Sequence, residues 1–524
     1  MIKKVRYLEL KEDENFFEFQ PFSPSIGLVA HNHWFIKSFQ EKSKYFGYWV
    51  ELKNGIYKII SDIWINEEIE EIEVLNPTSI NLIVSNNKIK IYLDEEGLNL
   101  ETLSSPVFLT LLLDCRKLYS DINYGNIYKI LPDSNCYFVN FTQEFEKYEL
   151  NFKIIYEGNL RYVNEPLNIE FDYDLKRNSP FYTFTILKGF EGYVSKLKII
   201  CEDKEPLKII YKDHPNNIKK FILNRIYSLY HPQKGFKAGL LWFPERWFRD
   251  ELLSLLFLNK EISEKEEIMQ FYLDNLKEIW HKNKLNDSIL AADTFLLIVN
   301  NLNDELIVSN RESLIKILNE WGKMFAIDNL PSKSTWMDTL DRPRAVEIDF
   351  LYYNTLKKLK LDEKAAEFKM KFKTNLFLKT YPESEFYSPN LFLGYLSAKD
   401  FFEEYEWFNF FDLIIQNFYL KWGGFATKSI YDPNFYKFHT GEDSKSYHHG
   451  DSWFWINNLG AYILQSLSQR KYENYINKIK EASLKNLFAM GVLGYMSELS
   501  SAEELRYEGS PIQLWSMSSL YLIL

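Results

Sequence analysis

Beyond residue 240, carboxylates stand among tryptophans in four short stretches, each where a polar loop runs into an apolar-periodic segment. Trp242-Phe243-Pro244-Glu245-Arg246-Trp247-Phe248-Arg249-Asp250 opens one helix. Thr335-Trp336-Met337-Asp338 ends a loop that continues through Arg342-Pro343-Arg344-Ala345-Val346-Glu347-Ile348 into another. Gly441-Glu442-Asp443 leads to Tyr447-His448-His449-Gly450-Asp451-Ser452-Trp453-Phe454-Trp455, and Met496-Ser497-Glu498-Leu499-Ser500 precedes Gln513-Leu514-Trp515-Ser516. These are the parts that cleavage of a glycosidic bond needs. One carboxylic acid protonates the leaving oxygen, and a second carboxylate activates water or attacks the anomeric carbon. Trp and Tyr faces hold a sugar ring. Any single Asp or Trp here reads equally well as a helix cap or a core residue, but four clusters at loop-to-helix junctions can converge at one end of a helical barrel.

Other chemistries lack their parts. There is no P-loop, no dinucleotide glycine fingerprint, no G-x-S-x-G and no H-E-x-x-H. His31-Asn32-His33 has no Cys or acid beside it, so no metal and no cofactor are expected. The 524 residues carry 62 basic against 73 acidic side chains, and a net charge of −11 argues against nucleic acid or an anionic membrane as partner. Three cysteines (Cys115, Cys136 and Cys201) make no disulfide framework and suit a reducing compartment. The N-terminus has no signal-peptide pattern, and no apolar run approaches the roughly 18 residues of a membrane span. A cytoplasmic protein is expected, of open oligomeric state.

The elements that must position these clusters fall into two halves. Up to residue 212 the pattern is that of short strands. Lys88–Leu93 alternates, and Asn54-Gly55 between two apolar runs predicts a hairpin. Further runs follow at 181–187, 193–201 and 207–211. Asp213-His214-Pro215-Asn216 marks the boundary, and 213–524 has a helical period with ten to twelve segments. Ser263 and Glu266 predict a capping box, followed by Ile268, Tyr272, Leu276 and Ile279 on one face. Asp362 precedes a helix that buries Ala365, Phe368, Phe372 and Leu376. The class is α+β multidomain, a β-sandwich-like domain followed by a helical one.

Arg249-Asp250, Thr-Trp-Met-Asp at 335–338, Val-Glu-Ile at 346–348, Tyr353-Asn354, Tyr447-His448-x-Gly450-x-x-Trp453-x-Trp455, Ser497-Glu498 and Gln513-x-Trp515-Ser516 together resemble the glucosidase domain of glycogen debranching enzymes. This is the amylo-α-1,6-glucosidase family of archaeal and bacterial type, and the motifs span about 240–524. The resemblance implies an (α/α)6 barrel after the N-terminal domain, and inverting release of glucose from α-1,6 branch points of glycogen-like α-glucans. It implies Asp338 as general acid and Glu498 as general base. Trp242, Arg249, Asp250, Trp336, Glu347, His448, Trp453, Trp455, Gln513 and Trp515 then bind the α-glucan or oligosaccharide. Phe454 and Asp451 depart from the family's usual Pro and Thr. The alternatives are a glucoamylase-like α-1,4-glucosidase, a trehalase or oligosaccharide glucosidase on the same barrel, and a catalytically silent glycan-binding protein. Asp341, Glu442 and Glu503 are rival acids.

Overall fold

The structure, a computed structural model, describes residues 2–12, 15–85, 87–176, 179–208, 217–276, 291–443 and 445–524. The chain forms two compact units. One is Met1–Lys234 with Lys485–Met496, the other Gly235–Leu484 with Ser497–Leu524. The stretch 213–216, where the sequence places the domain boundary, lies outside the described residues, as do Ile279 and most of the expected strand at 207–211.

In the first unit sixteen strands share one hydrogen-bonded sheet among the described residues. Its central strands, His33–Ser38, Gly47–Leu52 and Gly55–Ile65, are buried on both faces, with Trp34 and Trp49 stacked between neighbouring strands. Lys88–Leu93 alternates as its sequence predicts, with Ile89, Ile91 and Leu93 inside. The 48–60 hairpin forms, but its two-residue loop is Lys53-Asn54, one position earlier than expected, and the positive φ falls on Gly55. The separate runs at 181–187 and 193–201 join in one strand, Thr183–Cys201. It pairs along its length with Tyr148–Glu170 and, on its other edge, with Gly97–Thr102 and Val107–Lys117. Gly192, between the two runs, lies where a Cβ would collide with the Asn159 carbonyl, so it permits the pairing.

The second unit is helical. Phe248–Leu258, Ala292–Asn301, Val346–Lys358, Leu391–Ala398, the start of the Phe454–Ala489 run and Leu514–Tyr521 follow one another in contact, the run through Gly460 and Asn458. Buried asparagines tie several of these neighbours. Asn301 donates to the Leu252 carbonyl, Asn300 to Leu351 and Thr355, and Asn458 to the Ser516 carbonyl and Ser519. Elsewhere close approach does the work: Phe350 lies against Gly394, and Phe392 against Gly460. Leu514–Tyr521 packs back on Phe248–Leu258, so the succession closes on itself. Ala292–Asn301 is buried on every side, whereas Asp304–Met324 buries one stripe, Ile307, Leu314, Ile317, Leu318 and Trp321. The Phe454–Ala489 run breaks at Ser468.

The Ser263–Glu266 capping box does not form. The helix starts at Lys265 with Glu264 before it, and the Ser263 hydroxyl bonds Glu264 instead. Asp362 is the first residue of its helix, which buries Ala365 and Phe372 and leaves Phe368 and Leu376 half-buried. Among the described residues no helix is long and apolar enough to cross a membrane.

Candidate active site

Three of the closed succession's helices begin with acids in the first turn: Asp250, Asp293 and Glu347. Negative charge there is favourable to any helix and usually faces water. Here all three carboxylates are buried. Next to the first cluster, buried Glu251 accepts from both Arg246 and Tyr272. Arg249 donates through Nε to Asp293 at 2.8 Å and through Nη1 to Asp338 at 3.4 Å. The amide of Gln513 donates to Asp250 at 2.9 Å, and the strands Gly239–Leu240 and Ile512–Gln513 pair beside it. Trp242 is buried two residues beyond that strand.

The aromatic clusters meet in one cage. Trp336 stands edge-on to His448, Trp453 and Trp455, with ring centroids 5.0–5.3 Å away. His448 stacks flat on Trp453, and Trp515 touches both Trp453 and Trp455. Asn390 accepts from the Trp336 indole, and the Tyr447 carbonyl from that of Trp453. The Ser452–Trp453 and Leu499–Ser500 strands pair and so set Glu498 beside the cage. Its carboxylate accepts from the Ser510 N–H at 3.0 Å and from the Tyr447 hydroxyl. All four sequence clusters thus come together.

Electrostatics separate the carboxyls. Glu498 is 2% exposed, and burial pushes it to about 8 against the pull of Ser510 and Tyr447. Burial likewise carries Asp250 to about 7, with Arg249 opposing. Asp338 is also raised by burial, but Arg249 beside it works the other way, and 28% of its side chain is exposed. The role of general base expected for Glu498, which needs the ionised form, therefore meets an environment that favours its protonated form at neutral pH. Burial and the nearby arginines keep His448 neutral.

Some expected residues sit differently. Glu347 is at the cluster, but both its oxygens are taken by Arg342, which also bonds Thr335 and Glu385. Asp341 is exposed and bonded by Ser332, and Glu503 pairs with Lys437 while half-exposed. Glu442 stays close enough to act on Glu498 and Tyr447. Sequence reasoning passed over Asp293, although Ala292-Asp293 opens a helix as Arg249-Asp250 and Val346-Glu347 do. Among the described residues no group of three or more His, Cys, Asp or Glu is arranged to hold a metal. The ring nitrogens of His31 and His33 engage the Tyr230 carbonyl and Asn32.

Five buried polar atoms of this cluster have no hydrogen-bond partner among the described residues: Asp293 Oδ1, Gln513 Oε1, His448 Nε2, and the indole nitrogens of Trp455 and Trp515. Each such group costs roughly 1–3 kcal/mol. Their concentration beside paired carboxyls and an indole cage suits a polyhydroxylated ligand. A cavity of about 430 Å³, lined in part by Met337, Arg342, Asn390 and His448, adjoins the cluster.

Such a set of groups suits glycoside hydrolysis, and part of the chain is similar to a family of that class. The chain resembles the amylo-alpha-1,6-glucosidase family, which matches residues 387–522. That span holds His448, Trp453, Trp455, Glu498, Gln513 and Trp515. It is narrower than the 240–524 of the sequence motifs and leaves out Asp338. No curated protein matches the chain. Among solved structures, the GH63 mannosylglycerate hydrolase from Thermus thermophilus in complex with Tris is 9% identical with a TM-score of 0.38. The alignment covers 58% of this chain and 99% of that one. An uncharacterized conserved protein from the same organism is 9% identical with a TM-score of 0.37, over 59% and 99%.

Gly509 supplies a local test of the geometry. It holds φ +67°, and a Cβ there would lie 3.0 Å from the Glu498 Cβ and closer still to Oε2. Gly509→Ala is expected to displace that carboxyl and lower turnover by on the order of 10²-fold, measured per folded molecule; unchanged turnover would show that Glu498 does not need this placement.

Proposed function

We propose that the chain is an inverting exo-glycoside hydrolase that releases glucose from α-1,6 branch points of glycogen-like α-glucans, on an (α/α)6 barrel. The observation that carries this reading is Arg249 bridging Asp293 and Asp338, beside Asp250 and Gln513, with Glu498 buried at the indole cage. The closed succession of six helices supports the barrel. The family match supports the α-1,6 linkage.

Arg249 and Asp250 hold outer hydroxyls of the terminal glucose, while Trp242 and Trp453 wall its ring. Trp336, Trp455 and Trp515 complete the cage, and His448 and Gln513 offer further hydrogen bonds. Glu347 acts through Arg342. Asp338 gives its proton to the glycosidic oxygen as the bond to the anomeric carbon breaks. Water adds from the opposite face and passes its proton to Glu498, which yields β-glucose. Such a geometry needs the two carboxyls roughly 6.5–9.5 Å apart. The remaining glucan occupies the cavity beside Met337 and His448.

The test is product analysis. On α-1,6- and α-1,4-linked glucose oligosaccharides, NMR is expected to record β-glucose first and faster release from the α-1,6 link. Equal or faster α-1,4 cleavage would favour the glucoamylase-like alternative, and initial α-glucose would remove the inverting mechanism.

One observation favours a second reading, in which the two roles are exchanged. Burial raises both carboxyls, but it carries Glu498 to about 8, as suits a general acid, whereas at Asp338 the adjacent Arg249 works against the rise, which makes Asp338 the readier of the two to ionise.

A further inference from the structure

We infer that Asp293 is a positioning residue of this site: by binding Arg249 it limits how much of that guanidinium's charge reaches Asp338, and so leaves Asp338 able to carry the proton it donates. The inference rests on the reading of Asp338 as the general acid.

Arg249 is shared unequally. Its Nε lies 2.8 Å from Asp293 Oδ2, the length of a full charge-assisted hydrogen bond, whereas its Nη1 stands 3.4 Å from Asp338 Oδ2. A guanidinium committed to Asp338 alone would hold that carboxyl ionised, since an opposite charge at such range favours the charged form. Asp293 is built for the competing role. It is 4% exposed on a helix buried on all sides, and its second oxygen has no partner among the described residues. A merely structural first-turn acid would face water or bond backbone N–H groups; this one is held by its ion pair with Arg249.

The surrounding charges fit the same account. Asp338 feels Arg249 and Lys333, and its own charge acts on Asp250, Asp293 and Tyr447. Asp293 feels Arg249, Glu347 and Asp338, and Glu347 is matched by the two-point contact from Arg342. Arg249 is therefore the cation in direct contact with both Asp293 and Asp338, and its division between them is the adjustable quantity. Removing the Asp293 charge acts twice in one direction: it frees Arg249 for Asp338 and removes a neighbouring negative charge. Both changes favour ionised Asp338.

The experiment is the pH profile of kcat/KM for Asp293→Asn on an α-1,6-linked oligosaccharide, together with its thermal unfolding. The expected result is that the limb set by loss of the Asp338 proton moves down by about one pH unit or more. The melting temperature should stay within a few degrees of the parent. Asp293→Glu, which keeps the charge, should restore the limb. Asp293→Ser serves as a second neutral variant and should shift the limb in the same sense. A uniform loss of turnover with the limb unmoved overturns the inference, as does failure of both neutral variants to fold. Asp338→Asn measured alongside separates the two readings. If it stays active, the assignment of the acid fails. If it is inactive while the Asp293→Asn limb is unmoved, the positioning role alone fails.

Discussion

Asp338→Asn and Glu498→Gln should each lower turnover on glucose oligosaccharides by at least ~10²-fold with substrate binding largely kept, because each removes a proton transfer made in the transition state. The two losses should differ in kind. An aryl glucoside with an acidic leaving group needs little protonation of its oxygen, so the variant lacking the general acid should recover much of its rate on that substrate. The variant lacking the general base should not, because water still has to be activated. Recovery by Asp338→Asn supports the proposed roles, and recovery by Glu498→Gln supports their exchange. Near-normal activity of either variant on oligosaccharides would remove that residue from the mechanism. The contrast is informative because the surroundings differ: Glu498 sits among neutral donors with its carboxyl shut from water, and Asp338 stands beside a guanidinium with part of its side chain exposed.

The second large effect is on stability. Burial raises Glu498 from the ordinary 4.5 to about 8, so between those values the folded chain keeps a proton that the unfolded chain releases. The folded state then binds more protons, and stability falls as pH rises through this interval, by up to about 1.4 kcal/mol per unit. Asp250, raised from 3.8 to about 7, acts in the same sense at somewhat lower pH. Glu498→Gln cannot ionise. Its melting temperature should therefore gain on the parent's steadily from pH 5 to pH 8 and exceed it at the upper end, while activity is lost. The difference between the two proteins is the quantity to follow, since Asp94 and Asp114, held below the usual carboxylate range by their cations, impose the opposite trend in acid. A difference that stays constant across pH would mean that Glu498 is ionised in the fold.

Much of this organisation is legible along the chain. The alternation in 88–93 and the helical period of 362–377 arise from local geometry, since side chains two apart share a strand face and those three or four apart share a helix face. The clusters around Asp250, Asp338, His448 and Glu498 are legible as types for a related reason: loops that enter helices with tryptophan, arginine and acid have few roles in a plain core. Local pattern misplaced what depends on partners. The runs at 181–187 and 193–201 read as separate strands until Gly192 lets Asn159 lie against it, and Ser263 reads as a cap until its hydroxyl turns to Glu264.

The sequence by itself determined which residues could do chemistry and that a β-rich part precedes a helical one, because both follow from residue type and short-range period. Only the tertiary structure decided how those residues are used. Asp293 looks like any first-turn acid until Arg249, 44 residues earlier, bonds it. Glu347 looks available until Arg342 takes both its oxygens. Whether a carboxyl is an acid or a base depends on its solvation and its neighbours' charges, and those come from segments as far apart as Asp250 and Gln513, which meet across 263 residues. Sequence spacing carries no record of such distances.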